Sequence, residues 1–512
     1  MKILDCTLRD GGYYTNWDFE KKIVDTYLDS MNSLPIDYLE VGYRSPNIEG
    51  YQGEFFYCTE FSLKRIKEKT SKKLAILIDQ KNIELNTIEE LLKPCIEYID
   101  LIRIAVKPNK VFQALRLAEK IKKMGFKVAF NVMYLSEWEN YNEISLVLPK
   151  LDSLIDYFYM VDSYGSVLPG DVKNMIQKIK AYTNVPIGFH GHNNLELGLI
   201  NTLTAIDNGV EIIDATITGM GRGAGNLKTE LLLSVLDKTS SLNVDFDALS
   251  EVTNIFETLK EEYKWGTSLP YMVSGARSLP QKEVMEWVSK KVYSLNSVVR
   301  ALNKQSNKEK DIIYNKFRPS KIYNKCIIIG GGPSVINHQT AIKELMKDDN
   351  ELCLIHASSK NAYTFKDSKI DQYFCLVGNE GLRMSQVFKD LDGFSGSCIL
   401  PPSPRKMGTF VPKEVEKNTF ELNAVEFTKI IDDSHTAIAI QTAIELGVKE
   451  IYFTGFDGYL EGNIAKKDHE LFLENTKLFN DFKKSKIRFT SITPTNYKTL
   501  TQDSVYKIID SK

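Results

Sequence analysis

Arg9 and Asp10, in Asp5-Cys6-Thr7-Leu8-Arg9-Asp10-Gly11-Gly12, and His190 and His192, in Phe189-His190-Gly191-His192-Asn193-Asn194, supply a guanidinium, a carboxylate and two imidazoles. Each stands at or just past the end of an apolar run that reads as a strand, which is where α/β folds assemble their sites. A lone Arg-Asp pair is ordinarily a surface ion pair and a lone His-x-His ordinarily incidental, but their joint placement at strand ends argues for a site. Removing a proton from the carbon beside a ketone at neutral pH needs a cation on the carbonyl oxygen and a base nearby. One carboxylate and two imidazoles make such a cation site with positions left open. Histidines at i and i+2 turn both rings to one side while the backbone stays extended. Oxygen and nitrogen ligands without thiolate suit Mn²⁺ or Mg²⁺, with Zn²⁺ or Co²⁺ also compatible. Arg9 would balance the charge of an enolate. Asp162, Ser163, Gly219 and Asn226 complete the candidate set.

The elements that must position these residues are countable. Lys2 to Cys6, Tyr38 to Val41, Leu74 to Ile78, Leu101 to Ala105, Val128 to Val132, Tyr157 to Val161, Val185 to Phe189 and Ile212 to Thr216 are short β-rich apolar runs. Amphipathic stretches separate them, Val111 to Lys123 among these, with Phe112, Leu115, Leu117, Ala118 and Ile121 on or near one face. Eight runs roughly 25 to 35 residues apart predict a (β/α)₈ TIM barrel. Glu40 and Arg103 fall in the second and fourth runs, where they are candidates for substrate contact or for pairing with each other. Arg222 lies in a glycine-rich loop after the eighth run, near where barrels hold phosphate, and would suit a phosphorylated or polyhydroxylated acceptor.

Beyond Val244 the pattern turns helical, and Asn303 to Lys325 is polar with a Pro-Ser break. A new βα unit begins at Lys325-Cys326-Ile327-Ile328-Ile329-Gly330-Gly331-Gly332-Pro333-Ser334, with further strand-like runs at Leu352 to Ile355, Gln372 to Val377 and Glu450 to Gly455. The expected organisation is a barrel over residues 1–275, a helical and polar linker over 276–322, and a Rossmann-like open-sheet α/β domain over 323–512. The chain's 512 residues, 43% of them hydrophobic, can bury two cores, and a net charge of −2 leaves no overall footprint for nucleic acid or an anionic membrane. The seven cysteines contain no Cys-x-x-Cys pair, so neither a zinc knuckle nor a disulfide framework is expected. No secretory leader pattern or membrane-spanning run is visible. A cytoplasmic protein acting on small molecules is expected, as a homo-oligomer, without nucleic acid or membrane insertion.

The opening octapeptide, the Phe189 to Asn194 segment and Gly219-Met220-Gly221-Arg222-Gly223-Ala224-Gly225-Asn226 resemble the three signatures of the DRE-TIM metallolyase (HMGL-like) superfamily, nearest to the 4-hydroxy-2-oxovalerate aldolases. The resemblance implies a divalent-metal-dependent aldolase joining or cleaving pyruvate and an aldehyde. Asp10, His190, His192 and Asn226 would hold the metal, Arg9 would face the enolate, and Ser163 would contact the 2-oxo acid carboxylate. Tyr13, followed by Tyr14, stands where those aldolases carry a catalytic histidine, three residues after the motif aspartate. A phenol is a weak base at neutral pH, so Tyr13 would need help from the metal or Arg9 to move a proton.

In the second domain, Gly330, Gly331, Gly332 and Ser334 follow a strand and precede a helix, so their backbone N–H groups could cradle phosphate. A third fingerprint glycine is missing and the second strand ends without an acidic residue, which disfavours NAD. With the segments His435 to Gln441 and Lys449 to Asp457, this region is similar to MptE-like pterin diphosphokinase domains and to bacterial sialyltransferases. That resemblance implies a nucleotide, nucleotide-sugar or diphosphate ligand, with Asp457 in the crevice. The combined expectation is an aldolase of surface-polysaccharide or sugar-acid metabolism fused to a nucleotide-handling domain. Two alternatives are a Claisen-type acyl-CoA condensing enzyme of the same superfamily and a glycosyltransferase or nucleotide-binding module with an idle barrel.

Overall fold

The computed structural model describes residues 1–240, 242–290, 293–405, 407–429, 434–459 and 466–511. It divides into two compact units, Met1–Met285 and Glu286–Lys512. In the first, β1 (Lys2–Asp5), β2 (Tyr38–Tyr43), β3 (Lys73–Asp79), β4 (Leu101–Val106), β5 (Lys127–Val132), β6 (Tyr157–Asp162), β7 (Ile187–Gly191) and β8 (Ile212–Ala215) close into a barrel in sequence order. The eight strands are those the apolar runs predict, and the helix expected after β4 spans Val111–Lys123.

Strand alternation sorts the interior into layers. Leu4, Tyr38, Ala75, Leu101, Ala129, Tyr157 and Ile212 pack together inside the barrel, while Ile3, Leu39, Leu74, Ile102, Val128 and Ile213 belong to the larger cluster shared with the helices. Two residues further along, the inward positions carry Glu40, Arg103 and Asp214, all buried. The next layer brings Ala105, Val161 and His190 to a cavity at the carboxyl ends of the strands. β2 departs from strict alternation, with a register shift against β3 between Glu40 and Gly42. A one-residue slip reverses the faces of a strand, so Tyr43 joins Glu40 on the inner side and reaches the cavity.

The second unit holds a nine-stranded parallel sheet among its described residues, in the order β17-β16-β15-β10-β11-β12-β13-β14-β9. Its strands are β9 (Asn315–Lys316), β10 (Lys325–Ile329), β11 (Leu352–His356), β12 (Gln372–Cys375), β13 (Ser397–Leu400), β14 (Thr419–Glu421), β15 (Glu450–Thr454), β16 (Arg488–Ser491) and β17 (Thr501–Gln502). The order runs outward from β10 to β14, then returns so that β15 pairs with the other side of β10. Much of the stretch expected to be a linker is part of this fold. The helix Leu295–Asn307 buries Val298, Ala301 and Leu302, and β9 adds an edge strand beside β14; Lys291 and Val292 lie outside the described residues. β9 is two exposed polar residues long, so it carries no alternation for a sequence to show. All seven cysteines are buried and unpaired. Among the described residues, no helix is long and apolar enough to cross a membrane.

Candidate active site

Asp5 closes β1 and anchors the turn beyond it. One of its oxygens accepts from the Thr7 backbone N at 2.9 Å, Thr7 Oγ1 at 2.6 Å and Tyr27 Oη at 2.7 Å, and the other from Thr229 Oγ1 at 2.6 Å. The chain then passes directly into the helix α1 (Thr7–Thr15), whose first turns hold Arg9 and Asp10 at the cavity floor. Trp17 Nε1 donates to the Arg9 carbonyl at 2.8 Å and fixes the exit of that helix.

Arg9 pairs with Asp10 and, through Nε at 2.7 Å, with Glu40. Arg103 reaches Glu40 at 3.0 Å and Asp214 at 2.5 Å, and its guanidinium lies 4.3 Å from the centroid of the Tyr159 ring. Arg9 and Arg103 thus stand against Glu40 and Asp214 in a balanced buried network. Burial pulls the Asp10 and Asp214 carboxyls up, but the neighbouring guanidiniums, Arg9 for the first and Arg103 for the second, bring both below the usual range.

Both histidines are oriented by a partner on Nδ1. His190 Nδ1 lies 2.8 Å from Asp214 Oδ2, and His192 Nδ1 lies 2.6 Å from the Asp162 carbonyl. Each ring therefore has its Nε2 left for the cavity, the arrangement by which metal-bound imidazoles are usually held. His190 Nε2 is 3.7 Å from Asp10 Oδ2, and the two ring centroids are 5.0 Å apart. Burial first, then the nearby His190, pushes His192 down to about 4, so its ring is neutral with a lone pair to offer. Asn226 Nδ2 donates to Asp10 Oδ2 at 2.7 Å, while Asn226 Oδ1 is buried without a hydrogen-bond partner. One carboxylate and two imidazoles lining one cavity, with the orphaned amide oxygen of Asn226 behind Asp10, are ligand types that fit a divalent cation. Cys6, His190 and Asp214 also cluster closely enough to suggest ligands. Asp214 is already committed to Arg103 and His190, and burial holds the Cys6 thiol well above its ordinary range, so this trio is better read as the support beneath the site.

The glycine-rich loop after β8 folds back onto β7. Asn226 forms an isolated bridge with His192, and the Asn193 backbone N donates to the Gly225 carbonyl at 2.8 Å. Gly225 has φ +78, and a Cβ there would sit 2.2 Å from the Gly219 carbonyl oxygen, so any side chain would force apart the loop that carries Asn226.

Arg9, Asp10, Tyr13, Ser163, His190, His192 and Arg222 all line this cavity of about 380 Å³. Ser163 Oγ accepts from the Tyr134 backbone N at 2.9 Å, leaving its own proton free to donate. Tyr13 Oη is 2.9 Å from Tyr43 Oη, and the Arg222 guanidinium lies 3.9 Å from the Tyr13 ring centroid. Glu40 and Arg103, candidates for substrate contact or for pairing with each other, do pair, at 3.0 Å, in the layer below, fully buried and off the cavity wall. Their strand positions place them one inward step short of the mouth. Asp162 turns its carboxylate to the Ser166 and Val167 backbone N atoms, at 3.0 and 3.4 Å, and serves the site through its carbonyl. Asp214 and Tyr43 are the functional candidates that sequence reasoning missed. An acidic residue two places past the start of β8 is a signal for the first, but nothing in the sequence announces the register shift that exposes the second.

In the second unit, Gly330, Gly331, Gly332 and Asp457 line a cavity of about 430 Å³ with Lys360, Arg383 and His435. It lies where β10 and β15 diverge, the switch point at which open parallel sheets bind ligands. Ser334 does not line it. Its backbone N donates to Asp457 Oδ2 at 3.0 Å and its Oγ to Asp457 Oδ1 at 2.5 Å, so the two residues clasp the loops after β10 and β15 together.

The HMGL-like family model matches residues 100–256. A 4-hydroxy-2-oxovalerate aldolase from Chloroflexus aurantiacus is 30% identical over 255 residues, covering 49% of this chain and 72% of that protein. An oxaloacetate decarboxylase from Mycobacterium tuberculosis is 27% identical over 250 residues, covering 48% of this chain and 73% of that one. The crystallised N-terminal domain of a provisionally assigned aldolase from Bacteroides vulgatus is 55% identical, with a TM-score of 0.56, covering 59% of this chain and 100% of that domain.

Proposed function

Because this chain belongs to the HMGL-like family, the DRE-TIM metallolyases, we propose that its barrel is a divalent-metal-dependent lyase that makes or breaks a carbon–carbon bond between pyruvate enolate and an aldehyde. The observation that carries this is the set of donors brought to one cavity, Asp10 with His190 and His192, each ring held through Nδ1 so that Nε2 is left over, and the orphaned Oδ1 of Asn226 beside Asp10. A divalent cation held there, Mn²⁺ or Mg²⁺ by ligand type, would polarise the 2-oxo group and lower the cost of forming the enolate.

The chain's own residues supply the rest. Arg9 has two nitrogens committed to Asp10 and Glu40 and presents the remainder of its guanidinium to negative charge growing at the cavity floor. Ser163 donates to the 2-oxo acid carboxylate. Glu40, Arg103 and Asp214 act through Arg9 and His190 by fixing their positions. In cleavage, the 4-hydroxyl loses its proton, the C3–C4 bond breaks with its electron pair passing toward the 2-oxo group, and C3 is then protonated. The hydrogen-bonded hydroxyls of Tyr13 and Tyr43 are the relay nearest to hand. Replacing Tyr13 with Phe is expected to lower kcat about a hundredfold, and an unchanged kcat would remove Tyr13 from proton transfer.

Decarboxylation of oxaloacetate is a second reading, favoured by Tyr13 standing in place of a histidine. It delivers the same enolate and needs no base at a hydroxyl. The second unit is read as a subsite for a nucleotide, nucleotide-sugar or diphosphate, on the strength of its glycine-lined crevice at the switch point with Lys360 and Arg383 beside it. A sugar-like aldehyde in sugar-acid or surface-polysaccharide synthesis would unite the two.

The test uses the full chain, stripped by chelation and reloaded with Mn²⁺, Mg²⁺, Zn²⁺ or Co²⁺, and offered 4-hydroxy-2-oxo acids, oxaloacetate, and acetyl-CoA with a 2-oxo acid. Metal-dependent pyruvate release is the expected result. Undiminished release without metal, or CoA release without pyruvate, would overturn it.

A further inference from the structure

Five cationic side chains line the barrel cavity, Arg9, Lys81, Lys107, Arg222 and Lys282, against the carboxylates of Asp10 and Asp79. Arg9 is answered by Asp10 and Glu40, and Lys81 by Asp79 at 2.9 Å. No carboxylate among the described residues forms an ion pair with Lys107, Arg222 or Lys282; Arg222 rests on the Tyr13 ring instead. These three come from separate walls. Lys107 follows β4, Arg222 lies in the loop after β8, and Lys282 is in the first turn of the helix Gln281–Lys290.

Charge balance shows what they leave over. The buried network of two arginines and two carboxylates is neutral, and Lys81 with Asp79 is neutral. A divalent cation at Asp10, with the carboxylate of a bound pyruvate, is neutral as well. Lys107, Arg222 and Lys282 then remain as an uncompensated positive rim around a cavity of about 380 Å³, far larger than a three-carbon acid requires. Aliphatic aldehydes give such a rim nothing to pair with, whereas a second anion offsets much of its charge.

We propose that the electrophile meeting pyruvate in this barrel carries an anionic group, a phosphate or a carboxylate, at the end remote from its carbonyl, and that Lys107, Arg222 and Lys282 select it. The inference rests on the pyruvate reading of the same site. It makes the preceding step in the reaction sequence one that delivers a phosphorylated or acidic aldehyde.

The full chain loaded with Mn²⁺ is given pyruvate with matched aldehydes: glyceraldehyde 3-phosphate against glyceraldehyde, and succinic semialdehyde against butyraldehyde. The expected result is a kcat/KM at least about tenfold higher for the charged member of one pair. The phosphate pair and the carboxylate pair identify which anion is read. Lys107→Met with Lys282→Met should bring that ratio close to unity, and added salt should erode it. Equal or better use of both neutral aldehydes overturns the inference while leaving the lyase reading intact. Should no aldehyde react, the lyase reading is decided by metal-dependent pyruvate release, and calorimetric titration with glycerol 1-phosphate and with succinate, each against glycerol, tests the anion subsite separately. Saturable binding of either anion that the double variant weakens about tenfold sustains it, and binding of neither anion overturns it.

Discussion

The barrel mouth and the crevice of the second unit both open at the carboxyl ends of parallel strands, yet they are built from opposite materials. At the mouth, side chains do the shaping. His190 is held by Asp214, His192 by the Asp162 carbonyl, Arg9 by Glu40, and Arg103 bridges two of the anions from below. In the crevice, backbone does the shaping. Gly330 and Gly332 pass so close to the β15 loop that a Cβ on either would come within 2.4 or 2.5 Å of its atoms, and Asp457 of that loop is tied to Ser334. A network of paired charges fixes both the position and the protonation of each group, which bond-making chemistry requires. The glycine loop fixes shape, but the Gly330 and Gly332 N–H groups donate to the Thr454 and Gly455 carbonyls, at 2.8 Å each, rather than pointing at a ligand as the sequence suggests, so what the glycines supply is close approach and open space.

The largest effect that would test this contrast is at Asp10. Asp10→Asn keeps the side-chain shape but removes the anion proposed to hold the metal, so bound metal should be lost and pyruvate release should fall by about a thousandfold or more. The stabilisation of the second unit by the nucleotide proposed for its crevice should be the same as in the unaltered chain. Retention of metal and turnover would return the barrel to the role of an idle scaffold. Asp214→Asn is a gentler cut, because Asp214 holds the His190 ring without itself lining the cavity. Metal affinity or turnover should drop about 10- to 100-fold, measured by metal titration of the chelated protein. A variant with unaltered metal affinity would show that His190 needs no support from below. On the other side, Gly332→Ala brings a methyl group to 2.5 Å from Asp457 Oδ1. The crevice ligand should bind at least about tenfold more weakly, by thermal shift with a nucleotide series, while pyruvate release is unaffected.

The two regions also differ in how far the sequence discloses them. The eight barrel strands are visible because each is a continuous apolar run, and Asp10, His190 and His192 because strand ends are where a barrel places its chemistry. Tyr43 is hidden by the register shift between Glu40 and Gly42, since period-two reasoning sends Gly42 inward. Glu40 and Arg103 read one layer too high, because a strand's sequence gives the face of a residue but not its depth. In the second unit, β10, β11, β12 and β15 are hydrophobic and legible, whereas β9 and β17 are two residues each and exposed. The polar stretch before Lys325 reads as a linker for the same reason. An edge strand is defined by its neighbour's hydrogen bonds rather than by its own composition.

The smallest effect separates the regions through their buried histidines. Burial pushes both His192, in the barrel, and His356, in β11, down to about 4. His356 is fully enclosed, 2.8 Å from Gln372 Oε1 through Nε2 and stacked on Phe374 with centroids 4.4 Å apart. In the unfolded chain each ring takes up a proton as pH falls through about 6.5. The folded protein resists until about 4. Between those limits the unfolded state binds more protons, so stability must fall as the pH is lowered, by about 1.4 kcal/mol per pH unit for each such group. His356→Gln removes one group's share of that slope. At His192 a cation would compete with the proton only near and below about 4, where the folded ring begins to charge, so metal should leave the slope above that limit unchanged and prolong it below. Denaturant unfolding between pH 4 and pH 7, with and without Mn²⁺, is expected to show the His356→Gln reduction at the same size in both conditions. A reduction that depended on metal would mean that the charge network of the barrel and the core of the second unit titrate as one system.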